Sequence, residues 1–117
     1  MLPAPCNIRY GIGKDDHYDL GRTLDEVSHA DIVALQEIDV GWSRTDFHGQ
    51  VEMIKQRFPG YAVAWGPNID TMSSRGATER RQHGNAIVSR YCPILSCRLA
   101  LLWLPPVLQE VSDLLCV

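Results

Sequence analysis

Residues 31–38, DIVALQEI, constrain the fold of this chain more than any other stretch. Their apolar residues fall in both alternation classes, Ile32, Ala34 and Ile38 in one and Val33 and Leu35 in the other. A strand with one wet face alternates strictly, so the pattern predicts a central strand covered on both faces. Glu37 stands near its carboxyl end. An unpaired carboxylate is costly to bury, so Glu37 needs a compensating partner. The candidates are a metal ion or an arginine, Arg9 or Arg90.

The flanking segments frame that strand. Residues 6–10 (CNIRY) read as a short strand that begins late or lies on an edge, because Pro3 and Pro5 cannot donate to a ladder. Asp19 is placed to cap a helix over 20–28, with Leu20, Leu24 and Val27 on one face. Strand, helix, strand makes a βαβ unit with parallel strands. A polar loop, 39–49, leads to a second helix over 50–58, which Pro59-Gly60 stops. Residues 61–65 form a third strand, 66–83 a long loop and 85–89 a fourth strand. A fifth is expected at 94–98, after Pro93. The class is α/β. Residues 99–117 lose all alternation, hold at most a short helix at 107–115, and divide the chain into a domain at 1–98 and a hydrophobic tail. Such a tail needs something to pack on, and left alone it signals a missing partner chain or an aggregation hazard.

Parallel pairing brings Asn7 and Glu37 to one rim, at the strand ends where open α/β sheets place ligands. An amide oxygen beside a carboxylate suits a hard cation such as Mg2+, with Mn2+ as the alternative ion. Arg75, Arg80 and Arg81 gather on the 66–83 stretch. Guanidinium groups grip phosphate bidentately, which makes Arg80 and Arg81 candidate phosphate ligands; the competing reading is a solvated charged loop. His17 and His83, both on expected loops, are general acid–base candidates. The Gly11-Ile12-Gly13-Lys14 run lacks the spacing of a phosphate loop.

Eleven basic residues against fourteen acidic ones give a net charge of −3, without the basic footprint of a duplex-DNA binder. Nucleic acid is therefore not indicated by charge. No apolar run reaches the ~20 residues of a membrane-spanning helix. No leader pattern opens the chain, so a cytoplasmic location is expected. Cys6, Cys92, Cys97 and Cys116 show no C-x-x-C spacing and read as reduced thiols.

Three segments together resemble the endonuclease/exonuclease/phosphatase superfamily. They are Asn7-Ile8-Arg9-Tyr10-Gly11, then Ala30-Asp31-Ile32-Val33-Ala34-Leu35-Gln36-Glu37-Ile38-Asp39, then Gly84-Asn85-Ala86-Ile87-Val88-Ser89-Arg90-Tyr91. The linking stretches Gly41-Trp42-Ser43-Arg44-Thr45 and Trp65-Gly66-Pro67-Asn68 resemble a bacterial-type branch of it, and the likeness runs over about residues 6–96. It implies a four-layered α/β sandwich, present here as its first half, and magnesium-dependent hydrolysis of phosphodiesters or phosphomonoesters. Family substrates include nucleic acids, inositol phosphates and sphingolipids. The family's metal and phosphate roles carry onto Asn7 and Glu37 only. Its later half brings a histidine, an Asp-x-Asn pair and a closing Asp-His pair. Here no histidine follows His83, and Asp113 precedes Leu114. The resemblance thus implies a truncated phosphoesterase, inactive by itself, with an unrelated tail. The alternative is a non-catalytic fragment that pairs with another chain.

Overall fold

The fold is known from a computed structural model that describes residues 4–91. Its elements are β1 (Ala4–Asn7), α1 (Leu20–Val27), β2 (Ile32–Val40), α2 (Gln50–Arg57), β3 (Ala62–Ser73) and β4 (Gly76–Ser89). The four strands form one mixed sheet in the order β1-β2-β4-β3. β1 runs parallel to β2, as a βαβ crossover requires, and β4 is antiparallel to both of its neighbours. The α/β class and the central position of β2 agree with the sequence reading.

The two faces of β2 are not equally covered, which corrects the expected strand covered on both faces. Val33, Leu35 and Ile38 are fully buried, while Ile32 and Ala34 are half-buried. A β-bulge explains why Ile38 joins the odd-numbered residues. Leu35 pairs with Ala86 and Ile38 with Gly84, so two residues of β2, Gln36 and Glu37, oppose one of β4. The extra residue shifts the alternation and turns Ile38 toward the core.

That core lies between one sheet face and the two helices. Leu20 and Leu24 of α1, Val51 and Ile54 of α2, and Phe58 pack on Cys6, Ile8, Val33, Leu35, Ile38, Ala86 and Val88. The α1 cap forms as its sequence predicts, the Asp19 carboxylate accepting from the Arg22 N–H at 2.9 Å. β1 ends three residues earlier than the apolar pattern implied. The Asn7 side-chain oxygen accepts from the Arg9 N–H at 2.9 Å, a local turn that competes with the ladder and lifts the chain off the sheet.

The long loop expected at 66–83 is a correction. It is a hairpin: β3 and β4 pair from Ala62↔Ser89 out to Ser73↔Gly76, with Ser74 and Arg75 at the turn. Its outer half is exposed on both sides, so no hydrophobic period marked it as strand. Cys6 is a second correction, being disulfide-bonded rather than a reduced thiol. The expected strand at 94–98, the helix at 107–115, the boundary at 98 and the other cysteines all lie outside the described residues. So does the apolar stretch behind the expected partner chain. No helix among the described residues is long and apolar enough to cross a membrane.

Candidate functional site

The carboxyl ends of β1 and β2 bring Asn7 and Glu37 into contact, because parallel register sets Asn7 beside Gln36. The Asn7 Nδ2 donates to Glu37 Oε1 at 2.8 Å. Its oxygen already accepts from the Arg9 N–H, so the amide turns its nitrogen to the carboxylate. Asn7 therefore aims Glu37 rather than offering an oxygen beside it. The Glu37 N–H donates in turn to Asn85 Oδ1 at 3.3 Å, which ties the bulge to β4. Neither arginine suggested for Glu37 reaches it. Arg9 pairs with Asp16 at 3.2 Å and Arg90 with Asp31 at 3.0 Å. Among the described residues, the second carboxylate oxygen of Glu37 has no hydrogen-bond partner.

Three of the six non-glycine residues with left-handed backbone among the described residues lie at this rim. Glu37 has φ 58°, and Arg9 and Tyr10, which follow Asn7 closely, have φ 44° and 46°. Left-handed backbone at a non-glycine residue persists only where its surroundings over-determine it, and such residues cluster at functional sites.

A second cluster adjoins the first. Asp39, two residues beyond Glu37, is completely buried. Its carboxylate accepts from Arg44 Nε at 2.7 Å, from Arg44 Nη2 at 2.9 Å and from His83 Nδ1 at 2.7 Å. A carboxylate only accepts, so His83 carries its proton on Nδ1. The Asp39 N–H donates to Gln50 Oε1 at 2.8 Å, and Gln50 Nε2 donates to the Tyr10 carbonyl at 2.7 Å. The Arg44 guanidinium lies 3.8 Å from the Tyr10 ring centroid and 4.6 Å from that of Trp42. Hydrogen bonding to Asp39 raises the Arg44 pKa above its ordinary value, against the opposing effect of burial. Sequence reasoning missed Asp39 and Arg44 by assigning 39–49 to a polar loop. β2 in fact continues through Val40, and Ile38 and Asp39 are buried in succession, so no alternation marked Asp39 as part of a strand.

The remaining candidates separate. Arg81 stacks over Trp42 at 4.4 Å, and Trp42 donates its indole N–H to the Gln82 carbonyl at 2.7 Å. Arg81 Nε also donates to Thr71 Oγ1 at 3.1 Å across the hairpin, and Arg80 bonds Asp70 there, Nε to Oδ1 at 2.6 Å, which holds the Asp70 carboxyl below the usual range. His83 sits on β4 beside Asp39 and not on a loop. His17 is exposed and bonds only within its own turn, to the Asp15 carbonyl and side chain. Among the described residues no group of three or more His, Cys, Asp or Glu side chains is arranged to hold a metal ion. A cavity of about 450 Å3, lined by Val51, Lys55, Val63, Trp65 and Gln82 among others, opens between α2 and β3 and does not include Glu37.

The chain matches the Endonuclease/Exonuclease/phosphatase family over residues 6–110, an interval that spans β2 to β4, both helices and every residue of the two clusters. Comparison with curated proteins and with solved structures returns no match. A match of this extent makes the domain one of the phosphoesterase or nuclease type, and the sheet with its two helices is a partial form of that family's fold. The chain belongs to the endonuclease/exonuclease/phosphatase family.

Proposed function

We propose that this chain supplies the Glu37 rim of a magnesium-dependent phosphoesterase that hydrolyses phosphodiesters or phosphomonoesters. The observation that carries the reading is the conformation of Glu37: strained, aimed by Asn7 and left with one unengaged carboxylate oxygen.

Magnesium binds through one or two carboxylates together with substrate phosphates, and it keeps several waters. A single presented carboxylate fits that habit, so Glu37 is the residue that would hold the ion, with Mn2+ as an equivalent. Bound there, a divalent ion supplies charge neutralisation on the phosphoryl oxygens and the leaving group. The side chains supply the rest. Asn7 fixes the Glu37 carboxylate, Asn85 fixes its backbone, and Arg81 brings positive charge to the Trp42 side of the rim. Of the two arginines singled out from sequence, Arg81 is the one that keeps its terminal nitrogens for phosphate, its Nε being bonded to Thr71 Oγ1. Arg80 is committed to Asp70.

Turnover by this chain alone is slow in this reading, since among the described residues no group of three or more His, Cys, Asp or Glu side chains is arranged to hold a metal ion. Lack of a positioned general base lowers rate about 10²–10⁴-fold. The net charge favours small phosphate esters over bulk duplex. The test combines binding and assay. Calorimetric titration with Mg2+ should show one site that Glu37→Gln removes, while a generic phosphodiester and abasic DNA are turned over barely above background. Absence of the Glu37-dependent site would overturn the metal role. Brisk turnover abolished by Glu37→Gln would overturn the inactivity.

A further inference from the structure

We infer that Arg44 is a phosphate-binding residue beside Glu37, held in place by Asp39 and presenting its Nη1 edge to the anionic oxygens of a phosphate ester. The inference rests on the phosphoesterase reading and names the group that receives the substrate's phosphate.

Three observations support it. Asp39 is fully buried and occupies Arg44 only through Nε and Nη2. Among the described residues, Nη1 has no hydrogen-bond partner, and the Arg44 side chain is 38% exposed. The bidentate pair thus fixes the guanidinium while leaving donors on its outer edge. Second, Tyr10 and Trp42 both contact the guanidinium, so its orientation is set before any ligand arrives. A pre-ordered fork loses less side-chain entropy per hydrogen bond than a free one, and its geometry matches phosphate oxygens. Third, Arg44 is anchored to Asp39, which stands two residues beyond Glu37 on β2. A cation and a metal-holding carboxylate side by side can address different oxygens of one phosphoryl group.

A purely structural Arg44 would serve only to neutralise Asp39. In that case the arginine and the aspartate could be exchanged together for a neutral hydrogen-bonding pair with no effect on ligands. The arrangement of the rings gives no reason for an exposed, ring-stacked edge in such a role.

The experiment titrates the full 117-residue chain with inorganic phosphate in the absence of metal, following backbone amides and the Trp42 indole N–H by NMR. Saturable shifts at Trp42, Asp39 and His83 are expected. Arg44→Lys keeps a charge on Asp39 but loses the fork, and weakens binding measurably. The paired change Asp39→Asn with Arg44→Gln leaves no unpaired buried charge, replaces the ion pair by an amide–amide hydrogen bond, and weakens binding about 10–100-fold. Unchanged binding in the paired variant, or no saturable binding by the parent chain, would overturn the role of Arg44. A parallel Mg2+ titration separates the two readings. Phosphate bound through Arg44 with no Mg2+ response at Glu37 removes the metal reading, and a Mg2+ response without Arg44-dependent phosphate binding removes this one.

Discussion

Asn7 and Glu37 lie thirty positions apart in sequence and are joined by a 2.8 Å hydrogen bond at the ends of two parallel strands. The donor is the Asn7 nitrogen, whose orientation is dictated by the Arg9 N–H on the opposite side of the amide. Groups that orient a metal-holding carboxylate raise metal affinity without touching the ion, typically by about 10–100-fold. Asn7→Ala should therefore weaken Mg2+ binding by at least about tenfold while Glu37 remains in place. Calorimetry on the variant checks this. An unchanged affinity would mean that Glu37 needs no aiming.

The left-handed backbone at Glu37 makes a prediction about stability that runs against the usual order. Alanine ordinarily stabilises a strand or helix interior over glycine by roughly 0.5–1 kcal/mol. At φ 58° a Cβ costs about 1–2 kcal/mol instead. Glu37→Gly should be more stable to urea than Glu37→Ala by about 1 kcal/mol, and both should lose the metal response. Equal midpoints would indicate that the bulge relaxes when the side chain is removed.

Gly84, opposite Ile38, is required by close approach. A Cβ placed there would collide with the Gly66 carbonyl oxygen and lie 2.7 Å from Pro67 Cα, both on the adjoining strand. These are backbone atoms and cannot swing aside. Gly84→Ala should cost about 1–3 kcal/mol, as overpacking does. Its amide shifts should spread from the β3–β4 pairing to Asn85 and Glu37. A variant as stable as the parent would count against this packing.

The turn before α1 carries an acid-sensitive contact. Asp15 is held well below the usual carboxylate range, first by the Arg22 side chain at 2.7 Å and then by the His17 N–H. A carboxyl whose folded pKa is depressed stabilises the fold above its unfolded value of about 3.9, and this is lost as pH falls below it. Melting curves of the parent and of Asp15→Asn should accordingly differ most above about pH 5 and draw together progressively as pH falls below about 4. The effect is small, because both partners are largely exposed. Parallel curves at every pH would contradict the assignment.

Much of this architecture was legible from residue pattern. The periodicity of Leu20 and Leu24, the Asp19 cap and the apolar run of β2 are local signals, and each produced the element it predicts. The convergence of Asn7 and Glu37 followed from parallel connectivity. The outer hairpin was not legible, because strands wetted on both sides carry no alternation and are held by cross-strand pairs such as Arg80–Asp70. Nor was the bulge, since two residues facing one cannot be read from a single strand. The Asp39–Arg44–His83 cluster depends on both features. The bulge sets the facing of Asp39, and the hairpin delivers His83 opposite it.

The most direct test of the Glu37 rim is paramagnetic broadening by Mn2+ on the full chain. The account predicts that substoichiometric Mn2+ broadens the amides of Glu37, its β2 neighbours, Asn7 and Arg9 before any others, and that Glu37→Gln abolishes this pattern. Broadening centred elsewhere, or unaltered by Glu37→Gln, would contradict it.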